Sequence, residues 1–293
     1  MSEEITVGAL WRRWRDELAR HGVPTPTLDA KLLVGHGLGY DVLQLMLHER
    51  DLVSISLAES LAQTLKRRVS GESVARIMGQ REFYGLAFDL SAATLEPRPD
   101  TELVVDLALA ALPDGGAVLD LGTGSGCIPI SILSNRPDAQ GVATDINPGA
   151  LEVAERNAER HGVLGRLTLK QGDWFGALRG SASEEERFHL ILSNPPYISS
   201  AVVETLSAEV KDFDPRLALD GGPDGLAPYR IIAAEAGSWL RPGGEVMVEI
   251  GYDQSEAVAA LFAAAGFAKV MVHKDLSGLD RVVSAHHMEG AKA

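Results

Sequence analysis

From Ala117 onward the chain alternates short apolar runs with amphipathic stretches of helical period, and few topologies accept that order. Strand-length apolar runs fit residues 117–121, 140–145, 167–171, 189–193 and 245–249. Helical spacing fits 127–134, 148–160, 226–240 and 254–264 between and after them. Strands separated by helices are joined by crossovers, so the pattern predicts an α/β fold with a doubly wound, mostly parallel sheet. A closing strand pair at 268–273 and 281–285 has no helix between its members and departs from a pure dinucleotide fold.

The earlier part reads differently. Val7, Leu10, Trp11, Trp14 and Leu18 recur at helical spacing, with Thr6 placed to cap the helix and Gly22 to stop it. Further short helices fit 28–36, 42–47 and 57–69, so both tryptophans are assigned to a helical core. Between Ala75 and Leu90 the pattern turns to short strands around Tyr84-Gly85, which predicts a hairpin. Pro97-Arg98-Pro99-Asp100 then holds the backbone extended, and Asp100 is placed to cap a helix starting near Thr101. The expected organisation is a helical N-terminal domain over 1–74, a hairpin linker over 75–95 and the α/β domain over 96–293. The polar stretch 181–187 reads as a solvated surface loop.

Charge narrows the partners. The net charge is −14, and the first 88 residues carry 11 acidic and 11 basic side chains, so the whole excess falls on residues 89–293. Nucleic-acid affinity rests largely on neutralising phosphates, so this acidic body argues against direct nucleic-acid binding and suits a basic protein surface. The single Cys127 excludes an intramolecular disulfide and a cysteine-based zinc cluster, and no metal is expected. No signal sequence and no apolar run long enough to span a bilayer is present, so a cytoplasmic location off the membrane is expected.

Two motifs carry chemistry. Val118-Leu119-Asp120-Leu121 runs into Gly122-Thr123-Gly124-Ser125-Gly126, where glycine permits a tight strand-to-helix turn and close backbone approach to a ligand. Asp145 follows at the end of the next strand, where a carboxylate accepts hydrogen bonds from ribose hydroxyls. Pyrophosphate binders favour Gly-x-Gly-x-x-Gly, whereas the spacing here is Gly-x-Gly-x-Gly, which favours S-adenosylmethionine as cofactor. After the third strand, Asp173 is placed to accept the adenine amine, and Trp174 either covers the base or belongs to the core.

The second motif is Asn194-Pro195-Pro196-Tyr197, at the end of the fourth strand, where parallel α/β sheets bind ligands. Two prolines stiffen the loop, which can aim the Asn194 side-chain oxygen and the Pro195 carbonyl at the two hydrogens of a substrate NH2. An amide nitrogen is a poor nucleophile, and two acceptors can turn its lone pair toward a methyl donor in line. The nitrogen gains positive charge during transfer, which acceptor oxygens and the ring face of Tyr197 would stabilise. Asn194 is thus read as an orienting acceptor rather than a base.

These residues resemble the HemK/PrmC family, the release factor glutamine N5-methyltransferases, over nearly the whole chain. The likeness rests on Gly79-Gln80-Arg81-Glu82-Phe83, Pro97-Arg98-Pro99-Asp100-Thr101-Glu102, the glycine turn, Asn194-Pro195-Pro196-Tyr197, the 215–222 segment, Asp224-Gly225-Leu226, Tyr229-Arg230 and the 275–281 segment. It implies a seven-stranded Rossmann-like methyltransferase domain preceded by a helical domain that helps grip the substrate protein. The implied reaction moves a methyl group from S-adenosylmethionine, leaving S-adenosylhomocysteine, to the glutamine of the Gly-Gly-Gln loop in class 1 peptide chain release factors. By position, Gly122 to Gly126, Asp145, Trp174 and Asn194 would contact the cofactor, and Asn194, Pro195, Pro196 and Tyr197 the glutamine. Glu96 departs from the family, which often has an apolar residue there, and puts local packing in question.

Three rival readings follow from the same residues. A DNA or RNA amino methyltransferase (adenine N6 or guanine N2) shares the Asn-Pro-Pro-Tyr motif, but the acidic domain opposes it. A nicotinamide oxidoreductase could use the glycine turn and Asp145, yet leaves the second motif unexplained. A catalytically silent interaction protein would not need either motif.

Overall fold

The computed structural model describes residues 4–179 and 187–288, so all but Arg187 of the expected surface loop at 181–187 lies outside the described residues. The chain divides into two compact units, Met1–Gln80 and Arg81–Ala293.

In the first unit, β1 (Glu4–Thr6) leads into α1 (Val7–Arg20), followed by α2 (Pro26–Leu38), α3 (Val42–Leu47), β2 (Leu52–Ser54), α4 (Ile55–Val69) and α5 (Val74–Met78). Thr6 caps α1 by accepting from the Ala9 amide, and the chain leaves the helix through Gly22 at φ 74°. Trp11 and Trp14 are buried with Leu10, Leu18 and Leu33, as the helical spacing predicts. The antiparallel pair of β1 and β2 was not anticipated, because three residues are too few to display a period of two. Nor was α5, which Ser73 caps from one side and Gly79 closes in the left-handed region.

A hairpin of β3 (Gln80–Phe83) and β4 (Leu86–Asp89), all of it but Gln80 in the second unit, turns on Tyr84 and Gly85, both at positive φ. A two-residue turn of this hand matches the natural strand twist. Phe83 and Phe88 are buried in the core of this unit, so the stretch expected as a linker is shared between the two units. Glu96 is buried as well, and Arg81 pairs with it at 3.3 Å. Burial of an acid where an apolar residue would pack is thus matched by a nearby cation.

A 3-10 turn (Pro99–Thr101) opens α6 (Glu102–Ala111), and Asp100 does not cap it. The Thr101 amide instead donates to the Arg98 carbonyl, and Asp100 faces Arg281 at 3.3 Å. There follow β5 (Ala117–Leu121), α7 (Cys127–Asn135), β6 (Gln140–Asp145), α8 (Pro148–Arg160), β7 (Leu167–Gln171), β8 (Phe188–Ser193), α9 (Ser200–Val203), α10 (Ala208–Lys211), α11 (Ala227–Trp239), β9 (Leu240–Glu249), α12 (Ser255–Ala264), β10 (Ala268–Lys274) and β11 (Asp280–His286). The seven strands lie in the order β10-β11-β9-β8-β5-β6-β7. Strands β5 to β9 are parallel, and β11 runs antiparallel to both of its neighbours.

Both faces of the sheet are covered. Along each central strand successive residues alternate between two cores: Val118, Leu190, Leu192 and Met247 enter one, and Leu119, Ile191, Val246 and Val248 the other. From β5 the chain winds outward through β6 and β7, then returns to β8 on the opposite side of β5. The order therefore switches between β5 and β8, and the crevice beyond their carboxyl ends is where this architecture binds ligands. No helix among the described residues is long and apolar enough to cross a membrane.

Candidate active site

A cavity of about 650 Å³ opens at that switch point. Its wall includes Gly122, Thr123, Gly124 and Ser125 from the turn after β5, Asp145 from the end of β6, Asp173 and Trp174 after β7, and Asn194 and Pro196 after β8. Small-molecule and cofactor sites run from about 300 to 1,000 Å³, so this one is of ligand-binding size. Three expected residues are not among the lining. Gly126 supports the turn from behind: its φ of 80° and the Ile130 Cδ1 atom 2.7 Å from where a Cβ would stand leave space for glycine alone. Pro195 is buried. Tyr197 was expected to offer its ring face to substrate; its ring packs against the core that includes Ile191 and Val248, with its hydroxyl near enough to the Glu249 carboxyl to favour its ionised form.

The turn is held by its own backbone. The amides of Gly122 and Thr123 both donate to the Thr144 carbonyl, and Gly122 and Gly124 take positive φ. Asp145 accepts from the Gly124 amide through one oxygen and from the Asn147 amide through the other, each at 2.9 Å. Burial raises its pKa, partly offset by these backbone donors. Each oxygen keeps lone-pair capacity for a ligand hydroxyl. Trp174 lines the cavity and also packs against the second core, at φ 46°.

Behind the turn, Asp120 is 1% exposed, and neither carboxylate oxygen meets a donor at proper hydrogen-bond geometry. Burial pushes its pKa up to about 7; the nearby Thr123 hydroxyl favours the ionised form, and the charge of Asp145 opposes it. The Thr123 hydroxyl is itself buried without a partner, on the cavity wall. Unmatched acceptors beside a cavity favour a ligand that brings positive charge and donors.

The Asn-Pro-Pro-Tyr loop is braced by a segment that the sequence reading matched only by resemblance. Ile198 donates to the Leu219 carbonyl, and Gly221 returns a bond to the Ile198 carbonyl at 2.8 Å. A Cβ on Gly221 would stand 2.6 Å from the Pro196 oxygen, and one on Gly225 would collide with the Tyr197 carbonyl. The Tyr197 carbonyl also accepts from Gln254 at 2.9 Å.

Asn194 is fixed by a chain of polar groups. Its Nδ2 donates to the Thr101 hydroxyl oxygen at 3.1 Å, and that hydroxyl donates to Glu249 Oε2 at 2.6 Å. Glu249 is 1% exposed, and burial pushes its pKa up to about 7 against the hydroxyls of Thr101 and Tyr197 and the charge of Arg281. Arg281 also pairs with Asp275 at 3.0 Å, and Arg98, on the cavity wall, pairs with the buried Asp214 at 3.0 Å. Sequence reasoning missed Asp120 and Glu249 as site residues. The available signal was an acid inside or ending an otherwise apolar strand run, which calls for a partner or a purpose.

Comparison with known families places the chain. Residues 9–79 match the family model described as the PrmC N-terminal domain, and residues 100–212 match the methyltransferase small domain. Release factor glutamine methyltransferase from Agrobacterium fabrum is 44% identical over 287 residues, covering 96% of this chain and 97% of that protein. The chain belongs to the release factor glutamine methyltransferase family. The enzyme of the same description from Rhodospirillum rubrum is 45% identical, with 96% of this chain and 85% of that protein aligned. Among solved structures, a methyltransferase from Pyrococcus furiosus superposes with a TM-score of 0.52 at 17% identity, covering 78% of this chain and all of that one, a likeness of fold alone. The enzyme thus carries both the helical first unit and the Rossmann-like second unit that the resemblance implied.

Proposed function

We propose that the enzyme transfers a methyl group from S-adenosylmethionine to the side-chain amide N5 of the glutamine in the Gly-Gly-Gln loop of class 1 peptide chain release factors. The observation that carries this reading is the state of Asn194. One hydrogen of its amide is committed to Thr101, so its oxygen is the group left to accept from a ligand, in a cavity shared with the glycine turn and Asp145.

The cavity residues fit the cofactor. Asp145 would take the ribose hydroxyls, Trp174 and Asp173 the adenine, and the turn from Gly122 to Ser125 the amino-acid end. The unpartnered Asp120 and Thr123 suit a cationic ligand that carries an ammonium donor. When bound, S-adenosylmethionine supplies an electrophilic methyl group on a sulfonium. Asn194 accepts one hydrogen of the glutamine NH2, and the main-chain carbonyl of Pro195, a residue behind the cavity wall, is the acceptor assigned to the other; together they aim the nitrogen lone pair, which stands normal to the amide plane, at the methyl group. Orientation of this kind can contribute on the order of 10²-fold or more in rate. As positive charge grows on nitrogen, the same acceptors bind it more tightly than in the ground state. The nitrogen can lose a proton after transfer, so no strong base is needed beside it. Tyr197, packed against the core that includes Ile191 and Val248, braces the loop from behind.

Mass spectrometry of a release factor after reaction should show one added methyl group on the loop glutamine. Methylation of DNA or RNA instead, with the release factor untouched, would refute the reading. Asn194→Ala is expected to keep the fold and cofactor affinity while lowering turnover by roughly 10²-fold or more; turnover at the wild-type level would remove the role given to this side chain.

A further inference from the structure

We propose that Thr101 and Glu249 are positioning residues for the transfer: the buried Glu249 carboxylate takes the Thr101 hydroxyl hydrogen, which leaves the Thr101 oxygen to accept from Asn194 and so turns the Asn194 oxygen toward the cavity. This rests on the reading of Asn194 as the acceptor for the substrate NH2.

An asparagine amide can present either end to a ligand, and only its oxygen can hold an NH2 group. The choice is made by what the other end meets. Thr101 Oγ1 has a single hydrogen, and at 2.6 Å from Glu249 Oε2 that hydrogen is spent on the carboxylate. Its lone pairs therefore face Asn194 Nδ2 at 3.1 Å, and the amide has one orientation. Thr101 is 2% exposed, so water does not compete for either bond. Polarity thus runs one way along three side chains drawn from three places: the turn before α6, the end of β9 and the loop after β8.

Protonation reverses the chain. A neutral Glu249 can donate to Thr101, whose hydrogen then points at Asn194 and favours the flipped amide, with NH2 toward the substrate NH2. Two donors face to face repel, so the protonated state is unproductive. The groups around Glu249 set the balance: Asp100 on the 3-10 turn opposes its ionisation, while Arg281 on β11 and the hydroxyls of Thr101 and Tyr197 favour it; the Cys127 thiol on α7 is kept neutral by burial and adds no charge. Tyr229 on α11 donates its hydroxyl to the Glu249 main-chain carbonyl at 2.8 Å and is neutral itself. The balance lies near neutrality, with the Glu249 pKa pushed up to about 7. Turnover should therefore rise with pH through that region.

The test uses the full chain with a release factor as substrate. Thr101→Val should lower kcat by roughly 30-fold to 100-fold with cofactor affinity within about threefold of wild type, since misdirected groups cost about that much. Thr101→Ser should restore kcat, because the hydroxyl is what matters. Glu249→Gln keeps an acceptor oxygen but cannot titrate, so the acid limb of its kcat profile should disappear. Independently of transfer, asparagine-selective 15N labelling reads the amide itself. The Asn194 side-chain pair, assigned by its loss in Asn194→Ala, should titrate near neutrality in wild type and not in Glu249→Gln. Wild-type kcat in an active Thr101→Val enzyme, or an acid limb and amide titration that persist in Glu249→Gln, would overturn the inference. A wild-type enzyme that leaves the release factor unmethylated would instead sink the functional reading on which it rests.

Discussion

Asp120 is an acid that the fold treats as a liability unless something cationic arrives. Its folded pKa lies near 7, above the ordinary value of 3.8, so between about pH 4 and pH 7 the folded chain holds a proton that the unfolded chain has lost. Stability from this group is therefore fully present at low pH and declines as pH rises through that window. Glu249 behaves the same way from 4.5 to about 7. The melting temperature of Asp120→Asn, relative to wild type, should accordingly rise between pH 5 and pH 8, while calorimetric affinity for S-adenosylmethionine at pH 8 falls. A variant whose relative stability is flat with pH would show that Asp120 is not charged at the expense of the fold. Each acid interrupts or ends an apolar strand run, but nothing local in the sequence shows what it meets. The spacing that exposes the glycine turn and the proline-stiffened loop is local, whereas Glu249 meets Thr101 across 148 residues of chain. A contact of that range leaves no periodic trace.

Elements were far more legible than their supports. The strands at 117–121, 140–145 and 167–171 and the helix at 148–160 occur where apolar period placed them, because each has a buried face and a distinct stop. Strand β9 starts five residues before its expected Glu245, and its register with β8 shifts between Phe188 and Leu190, so the added residues break the regular strand pattern. One part of the hairpin's attachment was invisible for a different reason: it runs through a single asparagine. Asn157 on α8 is fully buried, accepts from the Asp89 amide at 2.8 Å, and donates to the carbonyls of Asp89 and Ser125. One side chain thereby ties the hairpin and the cofactor turn to the same helix. Asn157→Ala strands these backbone groups in the interior and should cost about 3 kcal/mol. Denaturant unfolding would measure it, together with weaker cofactor binding; a loss below about 1 kcal/mol would mean that the tie is dispensable.

At the scale of the molecule, every residue of the cavity wall belongs to the second unit. A chain of residues 81–293 should therefore fold and bind S-adenosylmethionine within a few-fold of the full protein, while its KM for a release factor rises. Failure of that fragment to bind cofactor in calorimetry would show that the two units are not separable. Within that unit, β11 is made after the other six strands of its sheet, yet it takes an interior place between β10 and β9, alongside Glu249. A nascent chain that has emerged only as far as α12 already holds the glycine turn, Asp145 and Asn194, but the flank of β9 is bare. Translation must run through Asp280–His286 before the layer beneath the reactive loop is closed, so interrupted synthesis leaves an open edge rather than a sluggish catalyst.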